Sequence, residues 1–436
     1  MILLLILSAC LAYKVLLRKN HYFLVYLLIP IFAVSGFPSE IKEFFVLHVG
    51  GFILWPQDIY ILFVAIYLVI SPASRRYLKN NWKISLSVLL LIIIDMIGLF
   101  YTWVVYGMES FYLREIFFGT ICLILSLAYV DVLNNEKSRK TMRYSFVIFN
   151  VVTAISVFLI IYFPELNQLD SKLHSAVGFT STGGEGSIIL ISSISASICI
   201  FSVWFFTFIE RKNIVHPTVI LPIVLVIVSS HRISYVALAI LLLLLSYRYF
   251  FTTRLSFRKI YSIFIALFMF ASGSLYVVNN QVAMGVITPF YDRAASLFVG
   301  SQQGTVQDRV KQINYFFDGY IGKYDVSTYL FGEAYKPELM RDQYYQFVQP
   351  HNFVLSTIVN NGFIDFVLLA MIVFFALWNR GGLRSPFLVP FILFMVTQLT
   401  DTGFTNYPYS AYFSLLLALT MSNQPLRKVQ NLVDKI

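Results

Sequence analysis

Arginine and histidine are the residues of this chain best suited to chemistry. Arg232 lies in Ser229-Ser230-His231-Arg232-Ile233-Ser234-Tyr235, at the edge of a long apolar run. An ionisable group at membrane depth is costly and marks a functional position by default, although a long cationic side chain can also snorkel to the headgroups. Arg293, Arg309 and Arg341 fall in a polar, tyrosine-rich stretch. A guanidinium keeps its charge at any physiological pH and matches phosphate oxygens in bidentate fashion. The other reading of these three is solvated charge, offset by Asp292, Asp308 and Asp342 beside them. His351, in Gln349-Pro350-His351-Asn352, follows that stretch and precedes another apolar run. Imidazole is the usual general base near neutral pH, yet a lone histidine also serves as a cap or a core residue.

Two further features are weaker. Gly178-Phe179-Thr180-Ser181-Thr182-Gly183-Gly184-Glu185-Gly186-Ser187 precedes an apolar run. A glycine-rich turn opening a helix can offer backbone N–H groups to an anion. It lacks the Gly-Lys-Ser/Thr of a nucleotide loop, and a plain external turn explains it as well. Asp95 stands alone in the apolar run 84–103. It either pairs with a polar group inside the protein or lies on a path for substrate or protons. The chain offers no succession of intramembrane carboxylates of the kind a proton pump needs.

The elements that position these groups follow from composition. Hydrophobic residues make up 58% of the 436 positions and charged residues 12%, about half the charge of an ordinary soluble domain. Runs long enough to approach a bilayer crossing recur at 1–17, 22–37, 58–71, 84–103, 113–131, 144–163, 187–209, 217–230, 233–250, 260–279, 352–378, 386–401 and 409–422. The expected fold is therefore all-α: a polytopic membrane bundle of about 12–13 helices with one large external loop. Residues 1–279 form the main bundle, 280–350 the loop, and 351–436 the C-terminal helices. The runs at 217–230 and 233–250 abut, as one pair broken at Ser229-Ser230-His231-Arg232. The stretch 44–55 reads as a re-entrant or interfacial segment, and helical pieces are expected near 304–320 and 335–348. Met1 to Leu17 lacks a basic leader and is followed by Arg18 and Lys19, so it reads as a retained first helix.

Charge sets the orientation. With Arg18 and Lys19 inside and the sides alternating, the inside segments hold 21 bases against four acids, and the outside segments hold 10 bases against 17 acids. Basic residues gather on the cytoplasmic side of membrane proteins, so the net charge of +10 reflects anchoring to anionic lipid. It does not point to nucleic acid, and no motif for it is present. The loop 280–350 falls outside, and the C-terminus inside. Cys10, Cys122 and Cys199 all lie in apolar runs without disulfide or metal spacing. No histidine or cysteine pair has zinc spacing.

Together these features resemble the O-antigen polymerase (Wzy) and O-antigen ligase superfamily. The resemblance covers the layout of most of the chain and two local motifs. Ser230-His231-Arg232-Ile233-Ser234-Tyr235-Val236-Ala237-Leu238-Ala239 is similar to the family's Ser-x-Arg helix start. His351-Asn352, nine residues and then Gly362 are similar to its histidine motif. The family usually has Gly, Thr or Tyr three residues after that glycine. Here Asp365 stands there, a departure from the ligase form.

The resemblance implies a GT-C-like, metal-independent membrane glycosyltransferase without cofactor, in the bacterial inner membrane. It would join undecaprenyl-diphosphate-linked oligosaccharide repeat units at the outer face, with a chain-length regulator and a flippase as partners. It assigns His351 as catalytic base and Arg232, Arg309 and Arg293 to the substrate diphosphate. Asn352, Tyr235, Arg341 and Tyr315 become sugar-binding or supporting residues. The alternatives are a ligase that hands the glycan to lipid A-core and, from another class, a repeat-unit flippase. A transporter would be expected to show internal repeats and midplane charges.

Overall fold

The computed structural model describes residues 47–49, 52–54, 72, 78–106, 136–162, 193–229, 232–251, 314, 326–332, 353–378, 383, 385–398 and 407–421. These residues are almost wholly helical. The exception besides short connections is a small hairpin of β1 (Leu47–Val49) and β2 (Phe52–Leu54), paired antiparallel with Leu47 opposite Leu54. The stretch expected as a re-entrant or interfacial segment thus holds two strands. Gly50 and Gly51 separate them in sequence, a pair suited to a two-residue hairpin turn. Apolarity alone does not distinguish a short strand from a piece of helix.

The helices are α1 (Trp82–Tyr106), α2 (Glu136–Tyr162), α3 (Ser193–Trp204), α4 (Pro217–Val228), α5 (Arg232–Phe251), α6 (Val326–Phe331), α7 (Phe353–Trp378), α8 (Leu388–Gln398) and α9 (Tyr407–Met421). α1–α5 and α7–α9 each coincide with an expected run. The runs at 1–17, 22–37, 58–71, 113–131 and 260–279 lie outside the described residues. Among the described residues, two segments, Glu136–Leu159 and Asn361–Trp378, are long and apolar enough to cross a membrane.

Two details differ from expectation and one agrees with it. α2 begins at Glu136, not near 144, and takes in Lys137, Arg139, Lys140 and Arg143. Glu, Lys and Arg are good helix formers, so a charged stretch continues a helix that an apolar window cuts short. The broken pair at 217–250 is two helices, α4 and α5, as its serine-rich junction suggested. In the loop, the described helix is α6, between the two expected pieces. Those pieces lie outside the described residues except for Asn314, which is helical.

Packing centres on α3, whose residues 194–204 are all buried, as are Phe205 and Phe206 directly after it. The Phe146 ring of α2 meets the Phe201 ring edge-on, with centroids 4.9 Å apart, and Trp204 packs on Phe387 beside α8 at 5.4 Å. Small polar groups cross-link the same surfaces. Asn150 Nδ2 donates to Ser202 Oγ at 2.7 Å, Ser197 and Thr397 share a hydrogen bond of 3.2 Å, and Tyr412 donates to the Ser197 carbonyl at 3.2 Å. Hydrogen bonds of this kind give direction to contacts between apolar helices.

These contacts order the helix ends. Lys83 at the start of α1 lies over Phe375 near the end of α7, and Arg143 near the start of α2 meets Glu210 just past α3. Arg248 near the end of α5 stacks over Phe208 at 4.6 Å, and Ser385 before α8 reaches Leu419 near the end of α9. One end of the helix group therefore carries Lys83, Arg139, Arg143 and Arg248. The starts of α3, α5, α7 and α9 lie at the other end.

Outward faces are apolar. Leu86, Leu89, Ile93, Met96, Ile97 and Phe100 form an exposed stripe along α1, and Phe363, Val367, Met371, Phe374 and Trp378 form another along α7. The spacing of three and four residues is one helical face.

Candidate functional site

The α4–α5 junction carries the arginine motif. α4 is started by His216, whose ring nitrogen accepts from the Thr218 N–H at 3.3 Å, with Pro217 at the first helical position. A proline there gives up an N–H that has no helical acceptor anyway. At the far end Ser229 caps the helix, its N–H reaching the Leu225 and Val226 carbonyls. The last carbonyls of a helix lack intrahelical donors. Tyr235, in the first turn of α5, supplies one by donating its hydroxyl to the Ile227 carbonyl at 2.8 Å. The junction is thereby tied across itself.

Arg232 is the first residue of α5. A cation at a helix N-terminus opposes the helix dipole, whereas an anion is favoured there. The start of this 20-residue helix is an end of the kind suited to a negatively charged group. Ser234, in the same turn, is buried.

The histidine motif leads into α7, which begins at Phe353, two residues after His351. Phe353 is buried, with its ring 6.3 Å from that of Phe413 in α9. Thr357 donates to the Phe353 carbonyl at 2.8 Å, stiffening this first turn. α7 is then interrupted at Gly362, where φ is +89° and ψ is 169°. Only glycine adopts that region readily. A Cβ placed there would stand 2.3 Å from the carbonyl oxygen of Leu330 in α6. α6 itself is closed by Gly332 at φ +82°, a left-handed glycine directly after the helix.

One turn beyond Gly362, Asp365 is buried at 2% exposure, and Asp95 of α1 is buried at 4%. The polar neighbours of the Asp365 carboxyl are Asp95 and Asn361, but neither Asp365 oxygen completes a well-formed hydrogen bond. Of the two expectations for Asp95, the structure supports pairing inside the protein. The partner is Asp365, three residues beyond Gly362.

The basic end has its own ion-pair cluster. α3 runs into one π-helical turn, Phe205–Ile209, which rotates the chain by an extra residue and delivers Glu210 to α2. Glu210, nearly buried, meets both Arg143 and Arg139, the latter at 3.6 Å. Arg211 follows in the left-handed region at φ 55° and ends the helix.

Of the residues singled out in the sequence, the structure gives Arg232 its place at the head of α5 and Tyr235 a bond across the junction. His351, Asn352, Arg293, Arg309, Arg341, Tyr315 and the glycine-rich turn 178–187 lie outside the described residues. Sequence reasoning passed over Glu210 and the role of Asp365. The signal for Asp365 was present: it and Asp95 are single acids in apolar runs, and isolated acids of this sort need partners. Among the described residues no three His, Cys, Asp or Glu side chains gather to hold a metal ion. No protein-family model matches the chain, and no curated protein matches it.

Proposed function

We propose that the chain is a polytopic membrane glycosyltransferase that polymerises lipid-linked oligosaccharide repeat units on the extracytoplasmic side of the bacterial inner membrane. The observation that carries the reading is the common placement of two helix starts. α5 opens with Arg232 and α7 follows directly on His351, and both starts lie at the end of the helix group away from Lys83, Arg143 and Arg248.

Two further observations support the membrane part. The apolar stripes on α1 and α7 are far longer than the isolated patches of a soluble monomer and suit contact with acyl chains. The gathering of bases at one end suits a cytoplasmic surface. In this reading the expected spans outside the described residues complete the bundle, and the loop 280–350 stands outside with Arg293, Arg309, Arg341 and Tyr315.

The reaction is displacement at a sugar carbon. A hydroxyl of one repeat unit attacks the anomeric carbon of another, the new C–O bond replaces the bond to undecaprenyl diphosphate, and the diphosphate leaves with the electron pair. His351 takes the hydroxyl proton. Arg232 and Arg309, with Arg293, meet the negative charge that develops on the leaving group, the kind of fixed electrostatic help most effective in a water-poor site. Asn352, Tyr235, Arg341 and Tyr315 support or bind the sugars. The lipid tail remains among the helices, which gives a reason for building a transferase within a membrane.

The test uses purified protein and defined undecaprenyl-diphosphate-linked repeat units. A ladder of products on the lipid is expected, lost in His351→Ala and in Arg232→Ala or Arg309→Ala but kept in the cytoplasmic control Arg76→Ala. Product only on a lipid A-core acceptor would make the chain a ligase. Movement of intact repeat units between leaflets, without bond formation, would make it a flippase.

A further inference from the structure

We infer that Gly362 is a positioning residue that seats the short helix α6 on α7, nine residues after the start of α7. Its consequence for turnover rests on the proposed polymerase reading; the seat itself rests on geometry. Three atoms would meet a Cβ at Gly362: Leu330 O at 2.3 Å, Leu330 C at 2.6 Å and Phe331 C at 2.6 Å. All three are backbone, so no side-chain rotation relieves the contact. For a carbon to reach an ordinary separation, the α6 backbone has to retreat by about 1 Å or more. The backbone at Gly362 adds a second requirement, because φ of +89° is strained for any residue with a side chain.

The seat is bounded on both sides. Gly332 turns the chain immediately after α6, so the contacting carbonyl belongs to the last turn of a short, closed helix. Asp365, one turn beyond the seat, faces Asp95 and joins α7 to α1. The segment from Phe353 to Asp365 thus meets α1 on one side and α6 on the other. Phe353 and Gly362 are nine residues apart in α7, roughly 14 Å along a helix. The seat therefore lies a short, stiff distance from the start of α7, where His351 enters.

The test reads the distance between α6 and α7 directly, in the full-length protein in lipid. Spin labels are placed at Val326 of α6 and Trp378 of α7, both exposed, in a background without Cys10, Cys122 and Cys199. A control pair at Phe100 of α1 and Trp378 reports the helix group alone. Gly362→Ala is expected to lengthen and broaden the 326–378 distance distribution and to leave the 100–378 distribution unchanged. Turnover per folded molecule should fall on the order of 100-fold, as a misplacement near 1 Å can cause. Phe331→Pro, which breaks the last turn of α6 without altering α7, should reproduce both effects and decides the matter if Gly362→Ala disturbs the control pair. An unchanged 326–378 distribution in folded Gly362→Ala or in Phe331→Pro overturns the seat. A changed distribution in a protein with no polymerase activity even before substitution keeps the seat and sinks the proposed reaction instead.

Discussion

Asp365 of α7 faces Asp95 of α1 in the buried middle of two long apolar helices. Carboxyls on neighbouring helices bring acceptors together without supplying enough donors, and an incompletely bonded buried oxygen costs about 1–3 kcal/mol. The pair lies between α7 and α1, three residues from Gly362, where α6 meets α7.

Asp365→Asn is therefore expected to stabilise the protein by about 1 kcal/mol, because the carboxamide offers N–H donors to Asp95 in nearly the same volume. Thermal unfolding in detergent measures it. Asp365→Ala should do the opposite by leaving a cavity and a lone buried acid. If the asparagine variant unfolds at a lower temperature than the parent, the carboxyls do not depend on one another as described.

Glu210 accepts a hydrogen bond from Arg143 and pairs with Arg139 of the same helix α2, while itself almost covered. Glu210→Ala should cost about 1–3 kcal/mol, a value held down by the partial exposure of both guanidiniums to solvent. Exchanging the charges in Glu210→Arg with Arg143→Glu should recover part of that loss, which either single reversal should not. Failure of the exchange to recover any stability would mean that the Phe146–Phe201 ring contact and the Asn150–Ser202 hydrogen bond, and not the ion pair, hold α3 to α2.

Tyr235→Phe removes the hydroxyl that bonds the Ile227 carbonyl. A loss of about 0.5–1.5 kcal/mol is expected, together with faster hydrogen exchange at the end of α4, where the carbonyl loses its donor. Exchange unchanged from the parent would show that the junction is held by packing alone.

Ile97 lies on the exposed apolar stripe of α1. If that stripe faces lipid, Ile97→Arg should hinder insertion by about 2.5–3.5 kcal/mol, seen as loss of the protein from the membrane fraction. The same substitution at Lys79, in the basic segment before α1, should have no such effect. Normal membrane recovery of Ile97→Arg would place this face against protein or water.

Gly362 shows where reading the sequence stops. It was recognisable as part of a motif, and Asp365 as a break in that motif, but neither position said what it touches. Likewise Arg143 read as a cytoplasmic base and Glu210 as one of few acids on that side, with nothing to join them. The helix α6 was hidden because Val326–Phe331 is too short to show a period, whereas α1, α5 and α7 announce themselves by runs of apolar residues.

What the amino-acid order determined by itself was where most of the described helices lie: at apolar runs that exceed a few turns, with a junction between α4 and α5. Those properties are local or additive, so they survive without knowledge of neighbours. Only the tertiary structure decided that Asp95 meets Asp365, that Glu210 meets Arg143, and that the Leu330 carbonyl occupies the space a side chain at Gly362 would need. Each of these depends on the rotation and height of one helix against another. That choice is set by the summed packing of whole faces, and no single segment of the chain encodes it.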